Sequence, residues 1–188
     1  MESNKRFIGI DPGKTGHVVE LDNSGKIVDH YVTPVIGKEY DKQQMSTNLF
    51  KFSPYNIDRI RAHVLLENVH ATQMGGKASN FDFGRGKGLW EMALMALEIS
   101  HTMVTPKEWQ KLMWQGAKTQ YMATKRKTKQ GTFVKKVDTK ATSLLAAKML
   151  QPQQEWRVIG KKGSPTTKID DGFVDAYLMA EYCRRNFY

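Results

Sequence analysis

Four acidic side chains in this chain stand where carboxylates can do chemistry: Asp11, Glu67, Asp171 and Asp175. Asp11 closes the apolar run Phe7-Ile8-Gly9-Ile10, and Glu67 closes Val64-Leu65-Leu66. Short apolar runs bounded by turn residues read as buried strands, so both acids fall at strand ends. In open α/β sheets, ligands bind outside the carboxyl ends of the strands. Asp171 and Asp175 are four residues apart and share one helix face. The other positions of that segment, from Phe173 and Val174 to Leu178 and Met179, are apolar. Carboxylates gathered away from water need a cation to stay ionised together. A hard divalent ion with oxygen ligands, Mg²⁺ with Mn²⁺ as a substitute, is the matching cofactor.

Each acid also has a plain structural reading. Asp170 or Asp171 suits a helix N-cap, Asp11 before Pro12-Gly13 suits a turn, and Glu67 could sit on a rim. Asp175, inside an apolar helix, is the hardest to explain as structure alone. Taken singly the signals are weak; taken together in this chain order they are stronger.

The elements that must carry these acids follow from the pattern. Residues 6–10 read as a buried strand, 11–16 as a turn, and 17–21 and 26–32 as two further strands joined by the turn Asp22-Asn23-Ser24-Gly25. Residues 40–60 are ambiguous, a helix with a loop after it. Strands are predicted over 63–66 and 102–105. Helices are predicted over 89–99, from Pro106 onward, over 139–150, and over 170–182. Three antiparallel strands followed by strand–helix alternation predict an α/β fold with a mixed sheet of five strands flanked by helices, in one domain spanning 1–188.

Charge gives the partner class. The net charge is +10, from 29 Lys and Arg against 19 Asp and Glu. The first 104 residues are balanced at 12 basic and 12 acidic, whereas the remainder carries 17 basic against 7 acidic. That asymmetry predicts a polyanion partner; a merely solubilising surface is the plain alternative. The densest stretch, 118–136, holds Lys118, Lys125, Arg126, Lys127, Lys129, Lys135 and Lys136 with no acid. Like charges so close predict a mobile loop, either a floppy insertion or an arm that orders on nucleic acid. No apolar run reaches membrane-spanning length, the N-terminus does not read as a signal peptide, and Cys183 is the sole cysteine. An intracellular protein is expected, in a bacterial or phage-infected cytoplasm or a DNA-containing organelle.

Several motifs carry a resemblance. Ile8-Gly9-Ile10-Asp11-Pro12-Gly13 resembles the first strand of the RuvC-like Holliday junction resolvases, with their Gly-Ile-Asp-Pro-Gly signature. Leu65-Leu66-Glu67-Asn68-Val69 resembles that family's second acidic strand, Phe83-Gly84-Arg85-Gly86-Lys87-Gly88 its glycine-containing approach to the central helix, and Asp171-Gly172-Phe173-Val174-Asp175-Ala176 its closing acidic helix. Gly88-Leu89-Trp90 and Val104-Thr105-Pro106-Lys107-Glu108-Trp109 look closer to the phage and chloroplast branch. The match spans nearly the whole chain in the right order.

The resemblance implies an RNase H-like fold, a homodimer, two divalent metals per active site, and symmetric nicking of opposing strands at four-way DNA in recombination and repair. It implies Asp11, Glu67, Asp171 and Asp175 as catalytic metal ligands. The last two are four apart where some members have three, which makes Asp170 an alternative ligand. Gln110 stands where some members place a lysine, with Lys111 beside it, and Lys140 fits the family's other basic position. His70 occupies a slot that some members fill with a ring stacked on DNA. The segment 70–87, with Lys77, Asn80, Phe81, Arg85 and Lys87, reads as a junction-reading loop or a plain lid. Lys118, Lys135 and Lys136 join the DNA-binding candidates. Leu89, Trp90, Met92, Ala93 and Met95 are candidates for core or dimer packing, and Trp109, Trp114 and Trp156 for packing anchors.

An actin-like phosphotransferase also starts with a strand, an Asp and a glycine turn, but it needs a second such domain and a second glycine motif, so no nucleotide cofactor is expected. A nuclease of the same fold acting on flaps, Y-forks and replication intermediates is the nearest alternative. A non-catalytic junction-binding module is a third.

Overall fold

Strand β1 (Lys5–Ile10) is buried on both faces from Phe7 onward, which is why Phe7-Ile8-Gly9-Ile10 is continuously apolar rather than alternating. Phe7 faces one hydrophobic cluster, Ile8 and Ile10 the other. The computed structural model describes residues 5–58, 60–69, 76–127, 130–160 and 162–187, without the side chains of Lys77, Ser79 and Lys125. From β1 the chain turns into β2 (His17–Leu21) and β3 (Ile27–Val32), paired antiparallel in series. A small hairpin, β4 (Val35–Ile36) and β5 (Glu39–Tyr40), leads to α1 (Lys42–Phe50), capped by the Asp41 carboxylate accepting from the Gln44 amide. Strand β6 (Arg61–Glu67) then returns parallel to β1 on its other side.

Helix α2 (Lys77–Ala96) crosses to β7 (His101–Val104), parallel to β6. Helix α3 (Pro106–Met113) opens with proline at its first position and a Thr105–Glu108 capping box. After the hairpin of β8 (Tyr121–Lys127) and β9 (Phe133–Val137) come α4 (Thr139–Leu150), a second hairpin of β10 (Arg157–Ile159) and β11 (Pro165–Ile169), and α5 (Asp171–Asn186). The main sheet has the order β3-β2-β1-β6-β7. One of its faces packs on α3, α4 and α5, and the other on α1 and α2. Helix α5 lies directly on β1. A Cβ at Gly9 would collide with the Ala176 carbonyl and the Ala180 amide, so the missing side chain sets how closely the helix approaches. Among the described residues no helix is long and apolar enough to cross a membrane.

The expected mixed five-stranded sheet with flanking helices is what the chain forms. Two local expectations fail. The central helix does not begin at residue 89 but at Lys77, so Gly84, Gly86 and Gly88 are helical, as is the reading segment from Lys77 to Lys87. Glycine costs a helix roughly 1 kcal/mol per residue, yet at Gly86 a Cβ would strike the Tyr40 hydroxyl and the Pro12 carbonyl. Close packing against the turn after β1 therefore outweighs local propensity there. The stretch 118–136, expected as a loop, is largely the β8–β9 hairpin. Arg126, Lys127, Lys135 and Lys136 are exposed to solvent, where their repulsion is screened, and the hairpin's open end is tied back by Asp138 N–H to Gln120 O and by Gln120 N–H to Thr142 Oγ1.

Candidate active site

Strands β1 and β6 are neighbours in parallel register, with Ile10 opposite Leu66. Asp11 and Glu67 follow these residues, so they emerge side by side at one edge of the sheet. Helix α5 starts at that edge too. A Cβ on Gly172 would lie 2.6 Å from the Thr15 carbonyl and 3.3 Å from Asp11 Oδ2. The bare backbone at Gly172 thus lets the first turn of α5 rest on the Asp11 turn, and one helical turn later Asp175 arrives at the same place.

The three innermost carboxylates sense one another. Asp11 is pushed up to about 6, first by burial and then by the charge of Asp170, while the Gly13 amide 3.2 Å from Oδ1 opposes the shift. Glu67 is pushed up to about 8, by burial, then Asp11 and more weakly Asp175. The indole N–H of Trp109 donates to Glu67 Oε1 at 3.0 Å and holds that carboxylate from the α3 side. Asp175 is pushed up to about 7, by burial, then Asp11 and Asp171; the Ser143 hydroxyl and Lys140 counter this. Asp171 is partly exposed and forms an ion pair with Lys140 from α4. Asp170 serves as N-cap of α5, accepting from the Phe173 amide at 3.2 Å, and its Oδ1 lies 3.5 Å from His17 Nδ1.

Among the described residues no three acids or histidines stand as a ready-made cage for an ion. The donor chemistry still fits a hard divalent cation. Carboxylates at the end of β1, in β6 and in α5, one buried and two half-buried, have raised proton affinity, and such a cluster is relieved either by protons or by a cation.

The basic candidates divide into two groups. Lys140 and Lys87 belong to the carboxylate edge: Lys87 Nζ donates at 2.6 Å to Asn68 Oδ1, on the residue after Glu67. Arg85 pairs with Glu39, Asn80 is half-buried, and Phe81 is exposed on the first half of α2. Lys111 is exposed on α3, while Lys118, Lys135 and Lys136 are exposed at and along the β8–β9 hairpin. Lys77 begins α2; its side chain and the whole of His70 lie outside the described residues. Met92 and Met95 are exposed, whereas Trp90 is fully buried in the core with Leu89 and Ala93 packed beside it. Trp109 and Trp156 are buried as anchors, and the half-buried Trp114 donates to Ser143 Oγ at 3.2 Å.

Sequence reasoning missed the residues that brace the site. Trp109 was legible as an anchor, but nothing local announces its bond to Glu67. Lys14 Nζ reaches Asp82 Oδ2 at 2.8 Å, and the Tyr40 hydroxyl donates to Asp82 O at 3.1 Å. These contacts clamp α2 to the Asp11 turn. They join residues far apart in the chain, so no spacing rule reveals them.

A mixed sheet of this order, with acids at the ends of its central parallel strands and on the closing helix, defines an α/β fold of the RNase H-like class. No family model matches the sequence, and no curated protein matches it. Solved structures do match. Thermus thermophilus RuvC in complex with a Holliday junction substrate superposes with a TM-score of 0.54 at 13% identity, over 97% of this chain and 96% of that one. A second structure of Thermus thermophilus RuvC gives 0.53 at 15% identity, over 95% of each chain. The likeness extends from end to end, and at this identity it is a likeness of fold.

Proposed function

We propose that the chain is a metal-dependent endonuclease that resolves four-way DNA junctions by nicking opposing strands. The observation that carries this reading is the meeting of Asp11, Glu67 and Asp175 at one edge of a RuvC-like sheet, Glu67 buried and the two aspartates half-buried, each with its proton affinity raised. Structural roles such as capping or rim solvation do not account for three neighbouring carboxylates, one buried and two half-buried, in mutual repulsion.

Asp11, just after the central strand, and Glu67, Asp175 and Asp171 are the residues that would hold the metal. Two divalent ions held there would supply an activated water and stabilise the leaving oxygen of an in-line phosphodiester hydrolysis. Trp109 fixes the rotamer of Glu67, as partners of metal-binding carboxylates do. Lys140 pairs with Asp171 at the rim of the site, where its ammonium would also be within reach of the scissile phosphate. The exposed cations of the β8–β9 hairpin contact the backbone phosphates of an arm, and two-stranded ribbons of this kind fit a major groove. Phe81, Arg85 and Lys87 on the first half of α2 face the crossover.

A homodimer completes the reading. Gly84, Gly88, Met92 and Met95 follow one another at helical spacing on the exposed side of α2, and a Cβ on either glycine would meet nothing. A twofold contact through this stripe would set two active sites at a fixed spacing, which is what symmetric nicking requires.

The test uses a four-way junction, a Y-fork and a linear duplex, each strand end-labelled in turn, with wild type and Asp11→Asn, in Mg²⁺ and in EDTA. Paired symmetric nicks in the junction, lost in EDTA and in the variant, are expected. Equal cutting of fork and junction would make the chain a general branch nuclease. Tight junction binding without cutting in any metal would leave only a binding module.

A further inference from the structure

Beside the carboxylates, on the β2–β3 side, the surface opens into two adjoining cavities of about 240 and 340 Å³. Both are lined by His17, Val32, Val158 and Asp170. His17 pairs with Val32 at the end of the sheet where Asp11 emerges. The first cavity touches Asp171 and Gly172 at the start of α5, and the second continues along β3, the edge strand, under the β10–β11 hairpin. The two together form a groove that leads away from the catalytic edge.

The groove has a distinctive floor. His30 stacks on Phe173 with centroids 4.2 Å apart and planes at 17°. Phe173 packs against Trp156 at 5.0 Å and against His17 at 5.6 Å. Four rings thus lie in one cluster, of which His30 reaches the surface. The walls are apolar at Val32, Val158 and Ile169; on the hairpin side Lys168 places an exposed cation, Arg157 is ion-paired with Glu155, and Asp170 and Asp171 mark the end toward the catalytic edge. An exposed ring backed by an aromatic cluster, apolar walls and the Lys168 ammonium are what a single nucleotide needs: a face on which to stack, a slot for the base and charge for its phosphate.

We propose that this groove takes one unpaired nucleobase of the cut strand, from the nucleotide next to the phosphate presented to the carboxylates. The proposal rests on the reading of the chain as a DNA nuclease. It adds a subsite that would pull the strand out of its stack and fix which phosphate reaches Asp11. A peptide strand laid along the β3 edge would need the backbone of that edge rather than the exposed His30 ring, and it would leave Lys168 without a role.

The test uses the Asp11→Asn protein, which retains the groove, bound to junctions carrying a single 2-aminopurine at successive positions on either side of the cut phosphate. Binding is followed separately by anisotropy. A change in 2-aminopurine fluorescence at one flanking position is expected on saturation. Adding Val158→Trp, which fills the slot, should abolish that change while anisotropy still reports a bound junction. His30→Ala, at an exposed position that does not hold the core, should weaken the change and serves if the tryptophan variant fails to fold. If the junction binds but no position responds, or if the response survives both substitutions, the subsite is wrong and the nuclease reading stands. If anisotropy shows no junction binding at all, both readings fall.

Discussion

The carboxylate edge and the β8–β9 hairpin differ in charge, and they also differ in how they are built. At the edge, every acid hangs from an element buried in the core: Asp11 follows a strand with both faces covered, Glu67 another, and Asp175 sits on a helix almost wholly enclosed. Backbone register and the bare Gly9 and Gly172 fix their approach to within a side-chain rotamer. The hairpin is the opposite case. Its strands pair only with each other, and its side chains are largely exposed, with Tyr121 and Phe133 among them. Placement matters where bonds are broken, because small displacements cost large rate factors. Capture of a polyanion needs charge density and tolerates looseness. On the proposed function, those tasks would be divided between an internally repelled site set on core elements and an exposed, cationic ribbon.

Asp11→Asn probes the division most severely. Cleavage of a junction at saturating DNA should fall on the order of a thousandfold, the scale expected when several kcal/mol of charge stabilisation is lost. Affinity for the junction, measured in the same buffer, should hardly change. A variant that cuts at the wild-type rate would show that Asp11 is only a turn former.

The repulsion itself predicts a second effect. With folded-state pKa values near 6, 8 and 7, Asp11, Glu67 and Asp175 take up protons at higher pH than they would in the unfolded chain. A raised carboxylate stabilises the fold below its unfolded pKa and loses that contribution as pH climbs through the folded value. Metal-free protein should therefore lose stability from about pH 5 to about pH 8, by on the order of a few kcal/mol given that the three titrations are coupled. Saturating Mg²⁺ should flatten the profile. Thermal melts in EDTA and in Mg²⁺ across that range decide the matter; a metal-free profile that rises with pH would mean the acids are not a repelling cluster.

Trp109→Phe is milder. The ring volume is largely kept, but Glu67 loses its 3.0 Å donor. Partners of metal-binding carboxylates typically contribute about tenfold or more in metal affinity. The Mg²⁺ midpoint for cleavage should shift upward by about that factor, while the rate at saturating metal recovers most of its value. A lowered rate at all metal concentrations with no shift in midpoint would place Trp109 in packing alone.

The same contrast explains what could be read from the sequence. The edge was legible because burial leaves a periodic record. The apolar runs ending at Asp11 and Glu67 and the apolar frame around Asp175 are direct consequences of covered faces, and they gave the sheet and its three acids. The start of α2 was not legible, because Gly84, Gly86 and Gly88 speak for a turn locally, while the packing of Gly86 on Tyr40 and Pro12 is a tertiary fact. The hairpin was hidden for a different reason. A ribbon with two solvated faces needs no hydrophobic alternation, so its lysines masked Tyr121, Thr124, Phe133 and Val137. The Trp109–Glu67 and Lys14–Asp82 bonds connect residues 42 and 68 positions apart, beyond any local rule. Hairpin β10–β11, which walls the groove, is too short and too polar in its strands to announce itself.

The smallest effect comes from the hairpin and is separated from the others by its salt dependence. Lys135 and Lys136 are exposed on β9, so replacing both by alanine should leave the fold and the catalytic edge intact. Each lost phosphate contact should lower the slope of log affinity against log salt by about 0.9. If both lysines touch the backbone, the double variant should bind a junction roughly tenfold more weakly at moderate salt, with a slope shallower by nearly two. Cleavage at saturating DNA should stay close to wild type, because neither lysine has a part in the chemistry. An unchanged slope would take the hairpin off the DNA. A collapse of the saturated rate with an unchanged slope would mean the ribbon braces the active site, and the separation between rigid chemistry and loose capture would not hold.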